Sequence, residues 1–388
     1  MFRHPTAIFF QDSQSKRGTL FKRDTALIIE RLDSLSAPKD GDIVIRPTQR
    51  LARKTCTLLA LLLTGFISVG NAQDSITLVA TGSSLPEPLY IAWGDEYHKQ
   101  HPAVQFRYLP VGTADSAQNI TSGVGDIGGG DAPIPDKRLK DSAVPILQLP
   151  SVLIGIVIVY NLPDTPGELH LSGPVLADIF LGKIKVWNDP AIAKLNPELR
   201  LTARPIQVIH RTEGKGSNYI LSDYLCKMSP EFLAKAGRGE SPKFPVGASA
   251  NRSQDMADRV RTTPGAMGYT ELNLAQRASL RMARIKNAAG EFVKPMEKSI
   301  AAAALAAKIT DDFRVSLTNA AGKESYPISS FTWFYVPAKA KDPARGRAVA
   351  DYLKWVYGNG QTIAQDQGYA VLPKELVAKV VASTATLH

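Results

Sequence analysis

Ile146-Leu-Gln-Leu-Pro-Ser-Val-Leu-Ile-Gly-Ile-Val-Ile-Val-Tyr160 is the stretch whose reading decides the fold. It is almost wholly apolar and rich in β-branched residues, as a strand covered on both faces must be. Such a run suits a buried strand passing between two bodies. On either side of it, strand-like and helix-like segments alternate. Before it, residues 75–80 predict a strand, and Glu87–Gln100 a helix with Leu89, Ala92, Trp93, Glu96 and Tyr97 at turn spacing. Residues 104–108 then predict a strand, 116–121 a short helix and 125–128 a buried strand end. After it come helices over 174–181 and 218–227, with strands over 206–210 and 266–270. An alanine-rich helix over 298–313, a strand over 330–336 and helices over 346–358 and 374–382 follow. This alternation argues an α/β fold with mainly parallel sheets.

The first seventy or so residues stand apart. Arg50, Arg53 and Lys54 precede the apolar run Cys56-Thr-Leu-Leu-Ala-Leu-Leu-Leu-Thr-Gly-Phe-Ile-Ser-Val69, which gives way to Gly70-Asn-Ala72. That order of positive, apolar and small residues reads as a secretory signal peptide over 50–72, with cleavage expected after Ala72 and an uncleaved membrane anchor as the alternative. Residues 1–49 read as an unstructured extension or a mis-assigned start. Of 46 Lys/Arg and 36 Asp/Glu, the first 72 residues hold 11 and 6, so 35 against 30 remain and the mature charge is +5. A modest positive charge steers anions. No basic stripe interleaved with aromatics points to nucleic acid. Cys226 is the one mature cysteine, so an internal disulfide is excluded.

Four loops carry the chemistry: Thr81-Gly-Ser-Ser-Leu-Pro86, Val111-Gly-Thr-Ala-Asp-Ser116, Gly128-Gly-Gly-Asp-Ala-Pro133 and His210-Arg-Thr-Glu-Gly-Lys-Gly-Ser217. Three lead into helices, and free N–H groups at a helix start favour negative charge. Ser83, Ser84, Thr113 and Ser116 read either as helix caps or as donors to a small oxyanion. Gly128–Gly130 reads as a turn or as a close approach of backbone to ligand, and Arg211 as a surface charge or as a planar multi-donor cation. Asp131 is either a turn former before Ala132-Pro133 or a selective acceptor. A carboxylate accepts the proton of a P–OH group, whereas fully ionised sulfate has none to offer and is repelled. Glu213, two residues past Arg211, is placed to hold its guanidinium.

Two familiar patterns do not apply. Gly123-Val-Gly-Asp-Ile-Gly128 has dinucleotide spacing but runs into a strand rather than out of one. Gly214-Lys-Gly-Ser217 resembles the end of a phosphate loop, but Ile209 stands where its first glycine belongs. A hydrolase remains a rival reading because His210 adjoins Arg211. Even so, His98, His101, His170, His210 and His388 show no metal-ligand spacing, and neither metal nor cofactor is expected.

Further stretches carry a resemblance: Ser84-Leu-Pro-Glu-Pro-Leu-Tyr90, Leu176-Ala-Asp-Ile-Phe-Leu-Gly-Lys-Ile-Lys-Val-Trp-Asn188, Pro264-Gly-Ala-Met-Gly-Tyr269 and Tyr326-Pro-Ile-Ser-Ser330. With the Gly128–Pro133 loop, they make the chain resemble the periplasmic phosphate-binding proteins (PstS-like) of the phosphate ABC transporter. The resemblance implies a type II periplasmic binding protein fold, with two α/β lobes and phosphate in the cleft. Lobe 1 then takes residues 73–155 and 330–388, and lobe 2 residues 156–329. It also implies a monomer in the periplasm that binds inorganic phosphate, delivers it to a membrane permease and catalyses nothing. Matching the family's motifs puts phosphate against Ser84, Leu85, Thr113, Asp131, Arg211, Lys215, Gly216 and Ser217. The chain departs from the family pattern at Lys215, where serine is usual, at Glu213, where aspartate is usual, and in the loop Gly112–Ser116. Lys215 keeps open a binding protein retuned to another oxyanion or a phosphate ester.

Overall fold

The computed structural model describes residues 75–385 and 387. The expected extension 1–49, the signal segment 50–72 and His388 lie outside the described residues. Twelve strands are formed: β1 (Ile76–Thr81), β2 (Val104–Leu109), β3 (Ile127–Gly130), β4 (Ile146–Tyr160), β5 (His170–Leu171), β6 (Gln207–Arg211), β7 (Ala248–Ala250), β8 (Ala266–Glu271), β9 (Arg281–Met282), β10 (Arg284–Lys286), β11 (Phe292–Val293) and β12 (Ser329–Pro337). Nine of them make one sheet in the order β2-β1-β3-β12-β4-β8-β6-β7, with β9 also on β4, and β11-β10-β5 make a small second sheet.

The stretch 146–160 is one unbroken strand, buried from Gln148 to Tyr160. It changes partners midway: Ile146 to Gly155 pair with β12, and Ile156 to Tyr160 pair with β8. The expected parallel pairing is found at both flanks, in β2-β1-β3 and in β8-β6-β7. The three pairings in the middle are antiparallel. There the long β4 and the returning β12 run against their neighbours, a geometry that alternation of elements alone does not reveal.

The helix Glu87–Gln100 has the expected bounds. Two others begin earlier than their apolar periodicity indicates, Thr113–Thr121 and Gly216–Met228. In each, the small polar residues ascribed to a loop form the first turn. The alanine-rich helix ends at Ala306, short of the expected 313. Asp312 there accepts bonds from Thr310 Oγ1 and the Arg314 backbone, a local alternative that competes with helix, and Phe313 sits at a φ of +57°. The helix expected over 346–358 runs instead over Pro343–Trp355, capped by Asp342, and continues as a wider π turn over Val356–Gly360. Trp93 Nε1 donates to Gly360 O at 2.7 Å and fixes that turn to the core. Among the described residues no helix is long and apolar enough to cross a membrane.

Strand β3 shows why three glycines stand in a row. Aromatic rings lie close on both of its faces: Tyr335 against Gly128 and Gly130, and Tyr90 against Gly129. A Cβ on Gly130 would overlap the Tyr335 hydroxyl, which is tied to the Ala132 carbonyl. The bare strand therefore delivers Asp131 directly beneath packed rings. Gly130→Ala is expected to lower stability by about 1–3 kcal/mol, the cost of overpacking. Urea unfolding checks this, and an unchanged midpoint would mean that Tyr335 moves aside freely.

Candidate functional site

Asp131 is the centre of the site. It follows β3 and is fully buried. Ser83 Oγ donates to its Oδ2, and Thr332 Oγ1, from β12, donates to Oδ1 at 2.6 Å. Its backbone N–H donates to Thr113 Oγ1 at 3.2 Å. Burial pushes the carboxyl up to about 6, while the Ser83 and Thr332 bonds pull it down. Glu271 raises it further and Arg211 lowers it.

Ser83 is held by the turn between β1 and the helix Glu87–Gln100. Its N–H donates to Gly129 O at 3.1 Å, and its carbonyl accepts from Tyr108 Oη at 2.7 Å. Ser83 does not cap the helix, whose preceding residue is Pro86 with no side-chain cap; its Oγ instead accepts from Leu85 N at 3.1 Å within the turn. Leu85 itself is buried. Ser84, one residue on, turns toward Arg211.

Arg211 ends β6 and is 2% exposed. Its Nη1 donates to Ser253 Oγ at 2.8 Å, and its Nη2 to Asn251 O at 2.7 Å and to Ser84 Oγ at 3.4 Å. Burial lowers its pKa, and Glu271 is the first of the negative groups that oppose this. The expected partner Glu213 does not fill that role. Gly214 takes a φ of +76°, the chain turns, and Glu213 is left exposed with no bond to Arg211. The buried acid is Glu271, at the end of β8, which accepts from Thr270 Oγ1 at 2.8 Å.

Arg211 Nε and Ser217 Oγ are among the buried donors that have no partner among the described residues. Ser217 and Gly216 form the first turn of the helix Gly216–Met228, whose leading N–H groups lack intrahelical acceptors. A Cβ on Gly216 would lie 2.5 Å from Thr113 Oγ1 and 2.6 Å from Asp131 Cβ, so only glycine lets this helix start come so near. Ala114 N donates to Gly214 O at 3.3 Å, which brings the start of the helix Thr113–Thr121 to the same place. Lys215 is half-buried, immediately before the helix Gly216–Met228. Burial lowers its pKa, and Arg211 adds to this.

Thus Ser84, Thr113, Asp131, Arg211, Lys215, Gly216 and Ser217 gather around one point, while Glu213 does not. His210 points away, because neighbours on a strand face opposite sides, and its ring packs 4.9 Å from Phe244. Three contributors escape a reading of the chain, Ser253, Thr332 and Glu271, while Ser83, read as a cap or an oxyanion donor, donates to Asp131 instead. An acid just past an apolar strand was the available signal for Glu271. Thr332 lies mid-strand and its role depends on the β3–β12 register, which local sequence does not disclose. Chemically, the site offers one guanidinium, two helix starts and free donors around the hydrogen-bonded carboxylate of Asp131, with Glu271 buried behind Arg211.

Comparison with known proteins identifies the family and the fold. Residues 68–359 match the family model of a PBP superfamily domain. The chain is 36% identical over 336 residues to the phosphate-binding protein PstS of Pasteurella multocida, covering 86% of this chain and 96% of that protein. A solved phosphate-binding protein from Stenotrophomonas maltophilia superposes with a TM-score of 0.60 at 20% identity, over 79% of this chain and 94% of that one. An ABC-type phosphate transport receptor from Vibrio cholerae superposes at 0.54 with 15% identity, over 76% of this chain and all (100%) of that one. The architecture is the α/β type II binding-protein fold. The chain belongs to the PBP superfamily and, within it, to the PstS family of phosphate-binding proteins.

Proposed function

We propose that this protein captures inorganic phosphate as a P–OH-bearing anion between two lobes and hands it to a membrane ABC permease. The observation that carries the reading is the buried Asp131 set among groups that attract anions. Each of its oxygens accepts one bond from the protein, and a carboxylate oxygen has capacity for a second. A P–OH proton can fill that capacity. Arg211 Nε, Ser217 Oγ, Ser84 Oγ, Thr113 Oγ1 and the N–H groups near Leu85 and Gly216 are the donors we assign to the other phosphate oxygens. Lys215 adds charge at the rim.

The lobes we assign are residues 73–155 with 330–388, and 156–329. The exchange of β4 partners between Gly155 and Ile156 supports that division. Arg211 with Ser84, Ala114 with Gly214, and Arg252 with Glu87 at 3.3 Å then become contacts across the cleft. Hinge closure of two lobes on a ligand is a familiar motion. The burial of Thr113, Asp131 and Ser217 favours a bare tetrahedral oxyanion over an ester, whose substituent needs an exit. We assign no catalytic step, since His210 is turned onto Phe244. Export by the segment 50–72, a periplasmic location and a monomeric state complete the proposal.

Titration calorimetry tests it. At about pH 8, phosphate is expected to bind, with sulfate on the order of a thousandfold weaker, since like-charge contact costs several kcal/mol. No binding of phosphate would remove the proposal, and equal binding of sulfate would remove the role of Asp131. Asp131→Asn is expected to weaken phosphate by about 10- to 100-fold, the worth of a hydrogen bond to a charged group, and to relax the rejection of sulfate.

The sign of the pH dependence follows from the raised carboxyl. Above about 6 Asp131 is ionised and accepts only, and below it the protonated form donates. Sulfate affinity is therefore expected to rise as pH falls through about 6, narrowing the preference for phosphate. Thr332→Val removes a bond that holds the carboxyl down and shifts this midpoint upward. A sulfate affinity flat across that range, or a midpoint indifferent to Thr332, contradicts the account.

A further inference from the structure

Lys215 is half-buried, and its ammonium makes no hydrogen bond or ion pair among the described residues. Its side chain lies along Gly112. A Cβ placed on Gly112 would be 3.4 Å from Lys215 Nζ and 3.6 Å from its Cδ. Gly112 immediately precedes the helix Thr113–Thr121 and is fixed there by its N–H bond to Gly82 O at 2.8 Å. The ammonium therefore rests against the positive end of a helix, where a cation is disfavoured. Arg211 and Arg252 add repulsion, and Asp115 is the one carboxylate acting the other way. The helix Gly216–Met228 begins one residue after Lys215, so a second positive helix end joins the cluster.

Arg211 differs, having Asp131 and Glu271 to oppose its charge and a shell of bonded acceptors. Lys215 has no such compensation. Gly112 belongs to residues 73–155 and Lys215 to residues 156–329, so closing the cleft is what presses them together.

We infer that Lys215 makes closure conditional on a guest's negative charge. Without an anion, bringing Lys215 onto the start of the helix Thr113–Thr121 opposes closure. With a phosphate between the two helix starts, the same ammonium is attracted. The residue acts by positioning the two lobes, and the inference rests on the two-lobed clamp proposed above.

Small-angle scattering of wild type, Lys215→Met and Lys215→Arg, with and without phosphate, tests it. In the anion-free protein, Lys215→Met is expected to raise the closed-to-open ratio by roughly three- to ten-fold, from the loss of a cation at a helix start and its like-charge neighbours. Lys215→Arg, keeping the charge, is expected to remain as open as wild type. High salt is expected to move anion-free wild type toward closure and to leave Lys215→Met unchanged. Anion-free Lys215→Met as open as wild type would overturn the inference. So would a loss of phosphate affinity in Lys215→Met with no change in anion-free opening, which marks a simple contact residue. Wild type that binds phosphate without closing would instead overturn the clamp itself.

Discussion

A carboxylate sealed from water must be compensated where it sits, and much of this molecule is arranged around that requirement at Asp131. Its solvation is replaced by hydroxyls from two separate elements, Ser83 before the first helix and Thr332 on β12. The β3–β12 register, with Trp333 opposite Gly130, sets Thr332 beside the carboxylate. The glycines of β3 let Tyr90 and Tyr335 close over the strand, which excludes the water that would otherwise screen the charge. For the role we propose for Asp131, excluding water matters as well, because repulsion of another anion is then no longer diluted.

Much of this was legible locally. The apolar run 146–160 announced a buried strand, and it is one. The loops 81–86, 111–116, 128–133 and 210–217 were recognisable from glycine, hydroxyl and charge content, and Ser84 lies near Arg211 as Thr113, Asp131 and Gly216 lie near one another. What local sequence could not supply was partnership over distance. Ser83 and Asp131 are 48 positions apart, and Asp131 and Thr332 are 201 apart. Which of two adjacent serines meets the carboxylate depends on how the turn is anchored to Gly129 and Tyr108. Helix starts were misplaced for a related reason: Thr113 and Gly216 carry no apolar periodicity, although they are the first turns that matter.

The substitution of Glu271 for Glu213 beside Arg211 shows how tertiary context overrules proximity in sequence. Glu213 is two positions away, but it lies in the loop after β6 with its side chain exposed to solvent. Glu271 is 60 positions away in the chain, yet it ends β8, which pairs in parallel with β6 and reaches the same end of the sheet. A parallel neighbour delivers its C-terminal residue to the C-terminal end of the strand beside it. Acids ending such neighbours are better partners for a strand-terminal arginine than acids in the following loop.

Two buried acids near one buried arginine leave that part of the site with no excess positive charge. In the proposed site, attraction for an anion then comes from neutral donors and helix starts, contributed together by the two lobes we assign. The helix Thr113–Thr121 comes from one side of β4 and the helix Gly216–Met228 from the other. Neither alone surrounds an anion, since the first lacks Arg211 and Ser217 and the second lacks Asp131. A strand that belongs to both halves of the sheet, and a binding point divided between the ends of two helices, are therefore parts of one solution. In the clamp we propose, affinity is assembled at closure, and selectivity is assembled with it, because Asp131 would meet its guest only where water has been displaced.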